Sequence, residues 1–452
     1  MTLPSGWKIA TLRELIKCEG GNSFPLAMQG NSEGEIPFFK VSDMTRLGNE
    51  TYLETAANYL SAGQCSALKG KLKPSLSVTF PKVGGALLTN KKRILKRPSL
   101  IDNNVMAAWT LDGETLDPLF HYFVWQGIDL RDLSNPGPLP SINGTAVYEK
   151  SIMLPPIGEQ RKIAAILSKI QQAIEIETNL IRVTHELKAA IMKKLFTEGL
   201  YGEPQKETEI GMVPESWKVV SLSSIGRVGG GTTPDRKQLD YWRSGDIPWI
   251  TSGRMYEREI RGSEEHITSQ AVQDLNLPLL NPGAVLIAIV GQGKTLGHCA
   301  ILKVKATISR HVGYIQPDES LISAEFLRDF LESRYDLLRQ LASGNGSTRA
   351  ALTGAIIKRL QLPLPPSLEE QRKIASVLDA INRQINISLS KKRALEDLFT
   401  TLLQKLMSGT IRITNLKIDT SCLEHDIPSK LAPKWQEFQE IMDDHLETQS
   451  HG

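Results

Sequence analysis

The amino-acid sequence contains two copies of one pattern. The run LPPIGEQRKIA at residues 154–164 returns as LPPSLEEQRKIA at residues 364–375, and each run begins a long helical pattern. The repeat also extends upstream, since Gly6-Trp7-Lys8-Ile9 matches Ser216-Trp217-Lys218-Val219 at an offset of 210 residues. This period is far longer than the roughly 20–50 residues of solenoid repeats. The chain is therefore expected to hold two copies of a globular part followed by a helix, which can mimic the symmetry of a dimer.

Length and composition support this organisation. The chain has 452 residues, of which 40% are hydrophobic, and this is enough for several hydrophobic cores. The predicted domains are a first globular unit, a first helix, a second globular unit, a second helix and a polar tail, at residues 1–154, 155–202, 203–364, 365–413 and 414–452. The net charge is only +3, so attraction to a charged partner must come from local clusters.

The four cysteines, Cys18, Cys65, Cys299 and Cys422, lie far apart and lack metal-ligand spacing. This pattern indicates unpaired thiols in a reducing compartment. The first residues lack a basic segment followed by an apolar one, and the most apolar run, residues 284–290, is too short to cross a bilayer. We expect a cytoplasmic protein that does not contact a membrane.

Both helical segments carry apolar residues at alternating spacings of four and three, which is typical of a coiled-coil seam. Prolines precede each segment, and glycines at 199, 202 and 409 follow them, which predicts where the helices begin and end. Two matched helices of about 40 residues, about 60 Å long, favour mutual antiparallel pairing. The seam residues of interest are Ile163, Leu167, Ile170, Ile174, Glu177, Ile181, Ile191 and Leu195 in the first helix, and Ile374, Leu378, Ile381, Ile385, Lys392, Leu395, Phe399, Leu402 and Leu406 in the second.

A fully overlapping antiparallel seam places Glu177 opposite Lys392. One hypothesis is that this pair of opposite charges fixes the register of the two helices. The other is that both side chains extend to solvent where the seam loosens, because Thr184 and Lys188 also interrupt the first seam.

Each globular unit is predicted to be of mixed α+β structure, with short apolar strands broken by Gly, Pro and Asn and with helices near residues 118–126 and 324–341. Residues 55–101 contain nine Lys or Arg and no Asp or Glu, and residues 275–317 are again free of acids. Matching acid depletion in both copies favours a polyanion as the partner.

Polar groups that suit base edges and phosphates lie among these charges. The loops at residues 143–145 and 344–349 add amides and hydroxyls, although turn chemistry explains them equally well. The candidate DNA contacts are Lys69, Lys71, Lys73, Lys82, Asn90, Lys91, Lys92, Arg93, Asn103, Asn104, Gln292, Lys294, Thr295, His298, Ser309, Arg310, His311 and Arg349.

Residues 288–295, AIVGQGKT, fit a relaxed phosphate-binding loop after an apolar strand, so a nucleotide-binding protein is an alternative. Against it, the aligned residues 81–88 lack the Lys-Thr pair, and the residues after Thr295 do not predict a helix. A coiled-coil scaffold is a further alternative, for which the acid-free windows would have no use. The sequence contains no catalytic constellation that we recognise and no spaced metal ligands.

Over residues 1 to about 413 the two Leu-Pro-Pro…Glu-Gln-Arg-Lys-Ile-Ala motifs, each behind a basic unit and before a long helix, resemble the specificity subunit of type I restriction-modification systems. The resemblance implies two target recognition domains that each bind one half of a bipartite DNA site, and an antiparallel helical spacer. It also implies two modification subunits that methylate adenine with S-adenosylmethionine, and restriction subunits that cleave DNA with ATP and Mg²⁺. This chain would then be a non-catalytic subunit that binds no cofactor itself.

Overall fold

The computed structural model describes residues 3–135, 137–291, 293–343 and 351–420. The chain divides into two compact units. Unit 1 comprises residues 1–178 and 390–452, and unit 2 comprises residues 179–389. Most of the predicted tail, with Cys422, lies outside the described residues.

Unit 1 contains twelve strands and four short helices before the first long helix. The strands are β1 (Lys8–Thr11), β2 (Ile16–Gly20), β3 (Ile36–Phe39), β4 (Tyr52–Leu53), β5 (Asn58–Leu60), β6 (Val78–Pro81), β7 (Arg93–Leu95), β8 (Leu100–Ile101), β9 (Val105–Thr110), β10 (Ser134–Asn135), β11 (Ser141–Ile142) and β12 (Ser151–Leu154). The helices are α1 (Leu12–Leu15), α2 (Ala62–Ala67), α3 (Pro118–Gln126), α4 (Gly144–Tyr148) and the long α5 (Ile157–Glu198), which continues into unit 2.

Unit 2 contains the second half of the repeat. Its strands are β13 (Gln205–Thr208), β14 (Gly211–Pro214), β15 (Lys218–Ser221), β16 (Gly226–Gly230), β17 (Ile247–Ile250), β18 (Glu259–Ile260), β19 (His266–Ile267), β20 (Val285–Ala288), β21 (Cys299–Leu302), β22 (Thr307–Ile308), β23 (Val312–Pro317) and β24 (Gln361–Leu364). Its helices are α6 (Ser269–Asp274), α7 (Ala324–Ser333), α8 (Tyr335–Ser343), α9 (Gly354–Arg359) and the long α10 (Leu368–Met407), which continues into unit 1.

The two units share one sheet topology. Unit 1 has a five-stranded sheet in the order β2-β9-β6-β7-β4 and a three-stranded sheet in the order β5-β3-β8. Unit 2 has the same arrangement, in the orders β16-β23-β20-β21-β18 and β19-β17-β22. In each unit the strand before the long helix pairs antiparallel with the first strand of its domain, β12 with β1 and β24 with β15. The predicted internal repeat and mixed α+β fold are therefore confirmed.

The long helices begin and end close to the predicted positions. Pro155 and Pro156 lie just before α5, and Pro365 and Pro366 lie just before α10, where a missing N–H is tolerated. Gly199 and Gly409 follow the two helices with φ of 71° and 67°. This left-handed conformation favours glycine and ends each helix.

The helices pack antiparallel, as each unit shows by itself. In unit 1 the beginning of α5, at Ile163 and Leu167, shares a core with Leu403 and Leu406 from the end of α10. In unit 2 the end of α5, at Met192 and Leu195, shares a core with Ile374 and Leu378 from the beginning of α10. The candidate seam residues named above are all buried or half-buried.

The ion pair of Glu177 differs from the predicted one. Glu177 is only 4% exposed, and its Oε1 lies 2.5 Å from the Nζ of Lys391. Lys392 instead lies 3.8 Å from Glu396 on its own helix. The hypothesis that Lys392 is the partner is thus wrong by one residue, because Lys391 reaches across the seam while Lys392 contacts its own helix. The hypothesis that Glu177 extends to solvent is also wrong, because Glu177 is buried.

The interruption at Lys188 has a structural reason within unit 2. Lys188 is buried, and its Nζ lies 2.6 Å from Oε1 of Glu332 on α7. A charged seam residue is tolerated here because α7 supplies the opposite charge. In unit 1 the corresponding helix, α3, is apolar and packs Phe123 against Phe399 of α10.

Within the described part of the chain, no helix is both long enough and apolar enough to cross a membrane. Cys18, Cys65 and Cys299 are free and buried.

Candidate nucleic-acid interface

Several loops of unit 1 meet at one end of its five-stranded sheet. Strands β2 and β6 end there, and strands β7 and β9 begin there, because β9 pairs antiparallel with β2 and β6 and β7 pairs antiparallel with β6. We call residues 21–35, 82–92, 102–104 and 137–143 the loop end of unit 1. Backbone hydrogen bonds tie these loops together: Lys82 N–H donates to Asn104 O at 2.7 Å, Ile142 N–H to Lys82 O at 2.9 Å and Gly84 N–H to Pro140 O at 2.8 Å.

Unit 2 forms the same kind of end. We call residues 231–246, 289–291, 293–298, 309–311 and 351–353 the loop end of unit 2. The N–H of Ile289 donates to His311 O at 3.0 Å, and Leu352 N–H donates to Ile289 O at 2.8 Å. In addition, Arg310 N–H donates to Thr233 Oγ1 at 3.3 Å.

A glycine at the start of each loop end allows the strands to approach closely. A Cβ on Gly21 would lie 2.1 Å from the carbonyl oxygen of Ile101, and a Cβ on Gly231 would lie 2.1 Å from that of Ile308. Only glycine fits such a contact with backbone. These two positions fix the same junction of the two sheets in both units.

Several predicted contacts lie on the loop ends and are accessible. In unit 1, Asn103 and Asn104 are exposed, and Lys82 and Lys91 are half-exposed. In unit 2, Lys294 and Arg310 are exposed, and Thr295 and His311 are half-exposed. These cations and amides suit phosphates and base edges.

Lys73 is not an accessible cation. It is 2% exposed, and its Nζ lies 2.6 Å from Oε2 of Glu19 and 5.6 Å from the ring centroid of Trp109. The acid that balances it lies outside the acid-free window, 54 residues away in the sequence. Its prediction as a DNA contact was therefore wrong. Lys69 and Lys71 are exposed in the segment that follows α2, and they stay predictions.

Lys92 is buried, and its neighbours Asn90 and Arg93 are half-buried. Lys92 is 1% exposed and donates from Nζ to Asn90 Oδ1 at 2.8 Å and to Ile128 O at 2.6 Å. Asn90 has a φ of 54°, and its Oδ1 also accepts from Leu130 N–H at 2.9 Å. Burial lowers the pKa of Lys92 to about 8 and also lowers the pKa of Arg93. The predicted DNA contact at Lys92 was therefore wrong, because Lys92 belongs to a buried polar network that holds the β6–β7 loop. The half-buried Asn90 and Arg93 stay predictions.

Two candidates of unit 2 also have structural partners. Ser309 is buried, and its Oγ accepts from His311 N–H at 3.4 Å. His298 lies between Tyr256 and Tyr335, with ring centroids 4.7 Å away on both sides, and burial lowers its pKa. Gln292 and Arg349 lie outside the described residues.

The stretch that resembled a phosphate-binding loop does not have that structure. Strand β20 and strand β21 pair antiparallel, so the residues between them form a hairpin connection. A phosphate-binding loop requires a helix directly after it, whose N-terminus faces the phosphates. Here Thr295 is followed by a turn and by β21, and its Oγ1 contacts Tyr256 OH at 3.0 Å. The nucleotide-binding alternative is thereby contradicted.

Sequence reasoning missed three apolar residues of the loop end of unit 1. Leu26, Leu88 and Leu139 are 85%, 58% and 70% exposed. A leucine in a sequence is normally assigned to a core, so the pattern gave no reason to single them out. Only the two prolines that flank Leu139 hinted at a loop.

Among the described residues, no group of three or more His, Cys, Asp or Glu side chains is arranged to hold a metal ion. What the loop ends offer is hydrogen-bond donors, cations and apolar tips on two equivalent sheets. This combination suits contact with the phosphates and base edges of a nucleic acid.

Comparison with known proteins agrees with this class. Residues 4–184 and 214–397 match the family model of the type I restriction modification DNA specificity domain, and the chain belongs to this family. The two matched stretches correspond to the two copies of the internal repeat.

Curated relatives are similar over different lengths. The MjaIX specificity subunit of Methanocaldococcus jannaschii is 30% identical over 51% of this chain and 52% of that protein. The MjaVIII specificity subunit of the same organism is 24% identical over 92% of this chain and 95% of that protein. The chain thus spans about half the length of the first relative and nearly all of the second.

Solved structures share the fold. The S subunit of a type I restriction-modification system from M. genitalium matches with a TM-score of 0.60 at 15% identity, covering 90% of this chain and 98% of that chain. A chain from a study of complex assembly and conformational transition of the type I R-M system matches with a TM-score of 0.51 at 19% identity, covering 91% and 100%.

Proposed function

We propose that each target recognition domain binds one half of a bipartite duplex DNA site through its loop end. The observation that carries this proposal is the repeat of one sheet topology with different side chains at the same end. Unit 1 presents Asn103, Asn104 and exposed leucines, whereas unit 2 presents Arg310 and Lys294. Equal scaffolds with unequal loops suit two readers of different base sequences.

The chain directs partner subunits and does no chemistry itself. Two modification subunits bind it and methylate adenine with S-adenosylmethionine, and restriction subunits cleave DNA with ATP and Mg²⁺. Support for a helical partner comes from α5, where Ile176, Leu180, Val183 and Leu187 are exposed at heptad spacing. An apolar stripe outside the seam suits a further helix.

The long helices set the spacing between the two half-sites. Inserting one heptad after Glu177 and one after Ser388 adds about 10.5 Å of helix, which corresponds to about 3 base pairs at about 3.4 Å each. The methylated sequence should then keep both half-sites and gain about 3 base pairs between them.

Binding by the purified complex tests the proposal. The chain is co-expressed with its modification subunits, and affinity is measured for duplexes that carry or lack the mapped methylation site. Specific binding that weakens steeply with salt supports the proposal. Equal affinity for both duplexes would contradict it.

A further inference from the structure

Leu139 occupies an exposed position between two prolines at the loop end of unit 1. It lies between Pro138 and Pro140, whose rings fix φ near −65°. Strands β10 and β11 close this loop on both sides through Ser134–Ile142 and Asn135–Ser141 pairing. The loop is in turn fixed to the β6–β7 loop, where Val83 pairs with Ser141. The flanking prolines and the strand pairing therefore reduce the conformational entropy that this segment loses when it binds a ligand.

The same loop end carries other exposed groups. A Cβ built on Gly84 would lie 3.4 Å from Leu139 Cδ1, so Leu139 lies over the glycine turn of the β6–β7 loop. Leu88 on that loop is also exposed, and Asn103 is exposed on the neighbouring β8–β9 loop. Among the described residues of unit 2, no strand pair corresponds to β10–β11.

We propose that Leu139 contacts the 5-methyl group of a thymine in the half-site of unit 1. This rests on the proposed function. In the major groove thymine presents a methyl group beside its O4 acceptor, and an apolar side chain recognises it by contact, whereas cytosine presents only an amino donor. An exposed leucine makes no hydrogen bond, so base edges that offer only donors and acceptors would lose water on contact and gain nothing. Burial of one methyl group predicts a loss of about three- to tenfold in affinity when either partner is truncated.

A double-mutant cycle between protein and DNA tests this contact. The complex with its modification subunits is titrated with duplexes in which each thymine of the mapped half-site is replaced in turn by deoxyuridine, which lacks only the methyl group. At one position the wild-type complex should lose about three- to tenfold in affinity, and Leu139→Ala should show a similar loss on the unmodified duplex. Combining both changes should cost little more than either alone, because the same contact is removed.

Leu111→Ala is the matched control. Leu111 is 59% exposed but follows β9 at the opposite end of the same sheet, so its replacement should leave DNA affinity unchanged. Two outcomes would overturn the proposal if the wild-type complex still binds specifically. One is that the losses from Leu139→Ala and from deoxyuridine add up, and the other is that Leu139→Ala leaves the affinity unchanged. A half-site without thymine would overturn it too. If the wild-type complex itself shows no sequence preference, the proposed function fails instead.

Discussion

The indole Nε1 of Trp7 donates a hydrogen bond to Oε2 of Glu159 over 3.0 Å, joining residues 152 positions apart. Both residues belong to the repeated motifs. Glu159 also accepts from Arg412 Nε at 2.9 Å and from Arg412 Nη2 at 3.0 Å, so the segment after α10 binds the beginning of α5. The Gly-Trp-Lys and Glu-Gln motifs therefore contact each other and hold the beginning of α5 in unit 1.

The neighbouring glutamine has the same role in both copies. Gln160 accepts from Asp117 N–H at 2.9 Å and donates to Thr115 O at 3.0 Å. Gln371 in unit 2 accepts from Ser323 N–H at 2.9 Å and donates to Leu321 O at 3.1 Å. Each glutamine thus binds a backbone N–H and a backbone carbonyl just before α3 or α7. The motif recurs because each long helix makes these contacts with its own domain.

The Arg412–Glu159 pair should make unit 1 sensitive to acid. Burial alone would raise the pKa of Glu159, but the hydrogen bonds from Arg412 and Trp7 outweigh it and lower the pKa below 4.5. The stabilisation is present above pH 4.5 and is lost as pH falls through the lowered pKa. Arg412→Met should lower the melting temperature at pH 7 by roughly a few degrees. The difference in melting temperature from wild type should narrow only as the pH falls through the lowered pKa of Glu159, where the Glu159 carboxyl becomes protonated in both proteins. Lys417→Met, at an exposed lysine nearby, should melt like wild type.

The Glu177–Lys391 pair should stabilise the paired helices of unit 1. Glu177 is buried, whereas Lys391 is 63% exposed, so solvent screens the pair. Lys391→Ala should lower the free energy of unfolding by about 1 kcal/mol, and Lys392→Ala, which removes only the 3.8 Å pair with Glu396, by about 0.5 kcal/mol or less. Urea unfolding of both variants, and of each combined with Glu177→Gln, measures the coupling. Stronger coupling of Glu177 to Lys392 than to Lys391 would contradict the structure.

The stability of unit 1 should increase as the pH rises into mild base, because Lys92 is buried. Its pKa falls from 10.5 to about 8 on burial, so the unfolded chain binds more protons between these values. Stability should therefore rise as pH increases from about 8 to 10.5, and Lys92→Met should abolish this rise. Lys91→Met, at the half-exposed neighbour, should retain it. A pH series of thermal melts distinguishes the two variants.

Arg310 should determine part of the half-site of unit 2. It is exposed on the β22–β23 loop, and loss of an arginine that contacts a base costs about 1–3 kcal/mol of binding and relaxes specificity at that base. Lys305, in the same acid-free window, follows β21 at the other end of the sheet. Lys305→Ala should therefore keep full affinity. An equal loss of DNA affinity in Arg310→Ala and Lys305→Ala would contradict the role of Arg310.

The sequence predicted the features that depend on spacing alone. The heptads, the glycines after both helices and the α3 helix at residues 118–126 lie where the pattern indicated them. The second helical pattern, at residues 324–341, breaks at Arg334 into α7 and α8. The spacing of apolar residues in a sequence indicates which face of a helix is buried, but not which residue of another element it contacts.

The candidate site was predicted less well, because burial of a charge depends on distant residues. The run Lys91-Lys92-Arg93 looks uniform in sequence, yet Lys92 is buried against the carbonyl of Ile128. Lys73 pairs with Glu19, which lies beyond the window that was counted. The exposed leucines were missed for the converse reason, since only the fold shows that Leu139 has no core to enter.

The two domains should recognise DNA independently of each other. Residues 1–154 are exchanged for the equivalent domain of a relative with a known target, and methylated adenines are mapped across the genome of cells that express the chimaera with the modification subunits. We expect one half of the methylated sequence to change to that of the donor, while the other half and the spacer stay the same. A change in both halves, or in neither, would contradict the account.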